Sequence, residues 1–178
     1  MTILYRRLRS ADCEAYRRLR LGCLISDPGS FASTAAEQPP GKLTFERYIE
    51  EDAPDHFIVG AFRESTLVAI VGFSREARVK NRHRGEIIQM CVQTDARGQG
   101  IGAALMRHMI AVAFGLEGLE QIQLGVASQN QTAIRLYEKL GFRRFGLQPR
   151  FYKLPAGAGY DDLALYQLLK CDYLESGA

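Results

Sequence analysis

The chain has no C-x-x-C pair. Its four cysteines stand at Cys13, Cys23, Cys91 and Cys171, and its three histidines, His56, His83 and His108, are as widely scattered. That spacing excludes the common zinc patterns and a disulfide framework, and predicts ordinary buried thiols and no metal. No run of about 18 apolar residues occurs, so no membrane span is expected. The opening Met1-Thr2-Ile3-Leu4-Tyr5-Arg6-Arg7 lacks the apolar core of a signal peptide, which predicts a cytoplasmic protein. Neither charge sign dominates: 23 Lys and Arg against 20 Asp and Glu leave a net +3, too little for the dense basic footprint of a nucleic-acid binder. Repeats and low-complexity segments are missing too.

What is present is a globular composition. The 178 residues are 47% apolar and 24% charged, which suits one domain over residues 1–178 with a core large enough to carry a cleft. Residues 2–9 alternate apolar and polar side chains, the period of a half-buried strand. Ser10 reads as the N-cap of a helix running to about residue 25. Residues 27–42 are rich in Pro, Gly, Ser and Ala and read as loop, with a short helix at 44–51. Residues 56–62 and 66–73 read as two strands joined by a turn at Glu64-Ser65, and 84–94 as a third. A helix over 101–114, a strand over 121–127 and a helix from Asn130 to Gly141 follow. Ala133, Leu136, Tyr137 and Leu140 fall on one face of that last helix. Strands at 143–154 and 162–169 close the chain. Short turns make the early strands antiparallel, and the later strand–helix–strand unit should be parallel and right-handed.

The densest chemical signal is Arg97-Gly98-Gln99-Gly100-Ile101-Gly102-Ala103, between a strand and a helix. Glycines admit positive φ and let a ligand approach the main chain. The first helical turn offers unpaired N–H groups and partial positive charge, so the segment suits a pyrophosphate, with Arg97 as a charged donor. Two other readings share these residues: a tight connection that binds nothing, and a dinucleotide site, since G-x-G-x-x-A is present. The dinucleotide site wants an acidic residue at the end of the next strand. Here that strand ends in Val126-Ala127-Ser128. No G-K-[ST] follows the glycines, so there is no Walker-A loop.

In these residues the chain resembles the GNAT superfamily of N-acetyltransferases. Arg97 to Gly102 matches that family's R/Q-x-x-G-x-G/A signature. Glu86-Ile87-Ile88-Gln89-Met90-Cys91-Val92 looks like the strand before it. Asn130-Gln131-Thr132-Ala133-Ile134-Arg135-Leu136-Tyr137-Glu138-Lys139-Leu140-Gly141-Phe142 is similar to the family's Asn…Ala…Leu-Tyr-Glu-Lys-x-Gly-Phe run. The resemblance is clear from about Glu86 to Phe145 and weakest over residues 10–55. It implies an α/β fold with a mixed, mostly antiparallel sheet of about seven strands, about four flanking helices and a splayed parallel strand pair. It also implies acetyl-CoA as co-substrate and a small-molecule or peptide amine as acceptor, and it allows a homodimer. Carried over, the backbone at Cys91 and Val92 and the side chain of Asn130 would hold the pantetheine arm. The turn Arg97, Gly98, Gln99, Gly100, Ile101, Gly102 and Ala103 would hold the pyrophosphate. Tyr137 would protonate the leaving thiolate, unless it only packs. Glu86 is the candidate base.

Magnitude tempers the last assignment, because proton transfer from an amine of pKa about 10.4 to a glutamate of about 4.3 is uphill by ~6 units, or ~8 kcal/mol. Cys91 as an acyl acceptor competes with Cys91 as a small buried residue. The basic stretch Arg75, Arg78, Lys80, Arg82 and Arg84 reads as a solvated hairpin turn. The acceptor pocket is expected in residues 10–55, where Asp27, Glu37, Glu46, Glu50, Glu51 or Asp52 could attract a cationic amine; Tyr152 and Tyr160 are further candidates. A non-catalytic acyl-CoA-binding module and a dinucleotide-dependent oxidoreductase are the alternative functions.

Overall fold

The computed structural model describes residues 2–154 and 157–175. Among them run β1 (Ile3–Arg7), α1 (Cys13–Ser26), α2 (Thr44–Glu50), β2 (His56–Arg63), β3 (Thr66–Arg75) and β4 (Arg84–Val92). Then come α3 (Ile101–Phe114), β5 (Gln121–Ala127), α4 (Gln131–Lys139), β6 (Arg143–Lys153), β7 (Tyr160–Leu169) and α5 (Lys170–Glu175). The strands form one seven-stranded sheet in the order β1-β2-β3-β4-β5-β7-β6. Neighbours are antiparallel except β4 and β5, which run parallel on either side of the crossover helix α3.

Two apolar clusters lie on opposite faces of this sheet. Leu105, Met106, Met109 and Ile110 of α3, spaced to one side of a helix, pack with Ile134 and Tyr137 of α4 against Val59, Val71, Ile87 and Leu124. On the other face Tyr16, Leu19 and Cys23 of α1 and Phe45 and Ile49 of α2 cover Ile58, Ile70 and Cys91. Strand alternation sorts the side chains between them: Ile87 falls to the α3 cluster and Ile88 to the α1 cluster.

Local chemistry sets the element ends. Ser10 is not a helix N-cap; residues Ser10–Asp12 form a single 3-10 turn before α1. Asp12 holds that turn, its Oδ2 accepting from the Arg9 N–H at 2.8 Å and from Arg6 at 2.7 Å. A residue that could reach back to the preceding backbone outcompeted the hydroxyl. Beyond the about four flanking helices expected, a further short helix, α5, continues from the last strand. The basic stretch is only partly solvated. Arg75 is 9% exposed and clasped by the carbonyls of Arg82 and Glu117, each at 2.7 Å, while Asp55 pairs with both Arg75 and Arg82. Arg78 and Lys80 remain exposed. Among the described residues no helix is long and apolar enough to cross a membrane.

Candidate active site

β4 and β5 are hydrogen-bonded neighbours only where Arg84, Gly85 and Glu86 face Gln121, Ile122 and Gln123. Beyond Glu86 the strands part. A cleft of about 1060 Å³ occupies the gap, walled by β4 residues 87–92, β5 residues 124–127, the N-terminal turn of α3 and one side of α4. The β5-facing edge of β4 thus carries backbone N–H and C=O groups that no strand satisfies, and such groups require a partner. A bulge lies in that stretch. The β3–β4 register shifts between Ile70 and Gly72, and Gln89 adopts φ 56°. A left-handed non-glycine costs about 1–2 kcal/mol. Its side chain is held by the buried Tyr16, whose hydroxyl donates to Gln89 Oε1 at 2.7 Å.

The glycine turn closes one end of the cleft. Gly98 and Gly100 sit at φ 75° and 77°, and a Cβ on either would meet nothing within 4 Å, so the space above the main chain is open. Gly102 differs: a Cβ there would come within 3.2 Å of Met90, so this glycine lets α3 pack on β4. Gly100 is the N-cap of α3 and offers no side-chain cap. The amides of the first turn, at Ile101, Gly102 and Ala103, are therefore left for another acceptor. The contrast with α4 is direct, because there Asn130 Oδ1 caps the Ala133 N–H at 3.1 Å. Arg135 and Lys139 of α4 add positive charge to the same wall.

Two turn side chains point elsewhere than the sequence reading placed them. Gln99 donates to the Asp95 carbonyl at 2.9 Å and accepts from Arg63 at 3.1 Å, and it is not part of the cleft wall. Arg97 does line the cleft, but its Nε–H is engaged by the Val92 carbonyl at 3.0 Å and its Nη2 by Asp27 at 3.3 Å. Asp27 thus stands beside the guanidinium as a phosphate oxygen would. Three residues on, Ser30 accepts weakly from Asn130 Nδ2 at 3.4 Å. The turn Pro28–Ser30 therefore reaches both walls of the cleft.

Tyr137 lines the cleft, 7% exposed, with no hydrogen-bond partner for its hydroxyl among the described residues. Burial pushes its pKa up to about 12, so the phenol is protonated at neutral pH. Cys91 faces the α1 cluster; its hydrogen bond with Cys23, then its burial, push its thiol well up. A neutral thiol is a poor nucleophile, which leaves acyl transfer through Cys91 without support. Glu86 sits at the apex, on the last paired residue, outside the cleft wall. Desolvation and the neighbouring Glu76 raise its carboxyl above the ordinary range.

The acidic residues expected to draw an amine are otherwise occupied. Glu46, 1% exposed, is held by Arg17 and by the Leu43 N–H. Glu37 caps Thr34, Glu50 pairs with Lys42, Glu51 with Arg47 and Asp52 with Arg7. The carboxylate the sequence reading missed is Asp161, which lines the cleft together with Tyr152. Nothing in the local sequence marks it; only the β6–β7 pairing, Tyr152 opposite Asp161, brings it there. Tyr160 does not reach the wall and is half-exposed under the Arg150 guanidinium. Among the described residues no group of three or more His, Cys, Asp or Glu side chains could hold a metal ion.

Comparison with known proteins agrees with this arrangement. A family model described as Acetyltransferase (GNAT) family matches residues 14–142. The N-alpha-acetyltransferase RimI of Mycobacterium tuberculosis is 33% identical over 108 residues, which cover 61% of this chain and 65% of RimI. The protein ML0378 of Mycobacterium leprae is 34% identical over 102 residues, 57% of this chain and 27% of that one. The chain thus spans less than two thirds of the length of either relative. Among solved structures, a GNAT-family acetyltransferase from Streptococcus pneumoniae superposes with a TM-score of 0.81 at 22% identity, covering 94% of this chain and 99% of that one. YncA of Salmonella typhimurium, solved with acetyl-CoA, gives 0.74 at 20% identity, covering 95% and 94%. At these identities the structural likeness speaks for the fold.

Proposed function

The chain belongs to the GNAT acetyltransferase family, and from that premise we propose that it transfers an acetyl group from acetyl-CoA to an amine held in the β4–β5 cleft. The observation that carries this reading is the pairing of an unsatisfied β4 edge with an uncapped helix start. The one suits an arm rich in amides, the other a pyrophosphate, and the two lie end to end along one wall. The open space at Gly98 and Gly100, and the positive charge of Arg97, Arg135 and Lys139, fit the same ligand. In this reading the backbone at Cys91 and Val92 and the Nδ2 of Asn130 hold the arm, and Gln99 serves the turn through its backbone, its side chain being engaged elsewhere. The described residues work as one domain. The free thiols Cys13, Cys23, Cys91 and Cys171 suit a reducing cytoplasm.

Acetyl-CoA supplies the activated thioester; the chain binds, orients and handles protons. Tyr137 is the group we assign to the leaving sulfur. Its pKa of about 12 keeps it a donor at neutral pH. Full transfer to a thiolate of about 8.5 is uphill by about 3 to 4 units. Its part is therefore a hydrogen bond that strengthens as negative charge develops on sulfur, a contribution specific to the transition state. Glu86, raised by burial and by Glu76, narrows the mismatch with a protonated amine without closing it. From the apex of the gap it takes the amine's proton through water.

Thermal unfolding with acetyl-CoA, CoA and NAD tests the reading. At about 100 times Kd, binding stabilises by ~2.7 kcal/mol, which for a chain of this size raises Tm by about 5–10 °C. The expected result is a rise with acetyl-CoA and CoA and none with NAD. No rise at millimolar acetyl-CoA, or an equal rise with NAD, overturns it.

A further inference from the structure

Asp161 has a geometry that the family's signature motifs leave unexplained. It is a carboxylate 9% exposed, in the wall of a cleft, with no cation paired to it among the described residues. Both of its hydrogen bonds fall on one oxygen: Oδ1 accepts from the Ser128 hydroxyl at 2.7 Å and from the Asp162 N–H at 2.8 Å. Oδ2 has no partner. It is not sealed either, because the buried and unpartnered polar side-chain atoms of the described residues are all guanidinium nitrogens, of Arg7, Arg20, Arg63 and Arg84. One oxygen is locked and the other is presented. Desolvating a carboxylate without a cation is costly, and such an arrangement persists where a ligand completes it.

Its position gives the ligand's charge. In β7 the residues facing Gly125, Leu163 among them, lie on the sheet face away from α3 and α4; Ala164 and Tyr166 belong to the core beneath those helices. Alternation puts Asp161 on the face of Leu163, the face that α1 covers further along the sheet. The cleft wall carries the cations Arg97, Arg135 and Lys139, none of them paired with Asp161 among the described residues. The other carboxylate in its wall, Asp27, is already paired with Arg97.

We infer that Asp161 is the specificity residue for the acceptor: its free Oδ2 receives a protonated nitrogen of the amine substrate, so that the enzyme selects cationic amines that enter from the face opposite α3 and α4. The inference rests on the acetyltransferase reading and adds the acceptor's charge and the side from which it arrives. Tyr152, opposite Asp161 in the β6–β7 ladder, forms the adjoining wall. Asp161 anchors and does not act as the base, since the nitrogen that attacks the thioester must first release its proton.

The test uses putrescine, n-butylamine and γ-aminobutyrate, which share a four-carbon chain and differ in net charge, titrated by calorimetry against the whole chain saturated with CoA. Affinity should fall in that order for the wild type. Asp161→Asn keeps the Oδ1 contacts, and it should weaken putrescine by about tenfold to a hundredfold, the worth of a charge-assisted hydrogen bond. Its affinity for CoA should stay within about twofold. Ser128→Ala unlocks Oδ1 and should give a smaller loss in the same order. Equal affinity of wild type and Asp161→Asn for putrescine, no binding of any of the three amines, or a parallel loss of CoA overturns the inference. Wild type that fails to bind CoA at all overturns the acetyltransferase reading itself, so the two failures are distinct.

Discussion

Two regions of the cleft wall are built in different ways. The region at Gly98, Gly100 and α3 is made from main chain contributed by one short segment, Arg97 to Ala103, and its free groups are amides that no side chain caps. The region at Asp161 is made from side chains that sequence keeps far apart: Tyr152 and Asp161 on β6 and β7 and Ser128 after β5. The first kind of site depends on backbone geometry and tolerates little change in it. The second depends on sheet pairing and can exchange its side chains while the scaffold stands. That division suits an enzyme family in which the cofactor is shared and the acceptor varies.

Tyr137 lines the same cleft, and changing it should have the largest effect. Tyr137→Phe keeps the ring and removes the hydroxyl. A drop in kcat of about a hundredfold or more is expected, the usual worth of a positioned proton donor, with little change in acetyl-CoA affinity. The same variant has a stability signature. The folded pKa, raised to about 12, lies above the unfolded value of about 10, so the wild type is at full stability below pH 10 and loses about 3 kcal/mol as pH rises through 12. Tyr137→Phe should lack that part of the alkaline loss in denaturant titrations. Unchanged turnover would reduce Tyr137 to a packing residue.

A second pair separates backbone strain from ligand space. Gly100→Ala and Gly118→Ala both force a side chain into positive φ, 77° and 68°, at about 1–2 kcal/mol each. Only Gly100 borders the cleft. Comparable losses in Tm with an approximately tenfold loss of acetyl-CoA affinity confined to Gly100→Ala would place the pyrophosphate at this turn. Equal effects on affinity would break the contrast between the two regions. The smallest expected effect is at Asp27, which holds Arg97 at 3.3 Å in a partly exposed pair. Exposed pairs are worth about 0.2–1 kcal/mol, so Asp27→Asn should tighten acetyl-CoA by about twofold in calorimetry as Arg97 is freed for phosphate.

Legibility followed the same division. The bounds expected for α3 and β5, residues 101–114 and 121–127, coincide with those observed, because each is a strong apolar period between turn residues. The splayed parallel pair and the mostly antiparallel sheet also agree with the resemblance, since the glycine turn and the Asn130 run mark the strand ends on either side of the gap. The Gln89 bulge was not legible, because glutamine carries no local preference for positive φ and its partner Tyr16 is 73 residues away. Nor was the clasp of Arg75, whose acceptors lie on the loop before β4 and after α3. The acidic residues of 10–55 looked available because their partners, Arg7, Arg17, Lys42, Arg47 and Arg97, could not be assigned to them along the chain.

The sequence by itself determined the family, the strand and helix order and the glycine turn before α3, because each rests on neighbours within a few residues: a hydrophobic period, a glycine at positive φ, an uncapped helix start. Only the tertiary structure decided which carboxylates are spent in pairs and which one faces the cleft with a free oxygen. Charge pairing and burial are properties of distance in space, and the sheet that brings Ser128 to Asp161 joins segments that chain order holds 33 residues apart.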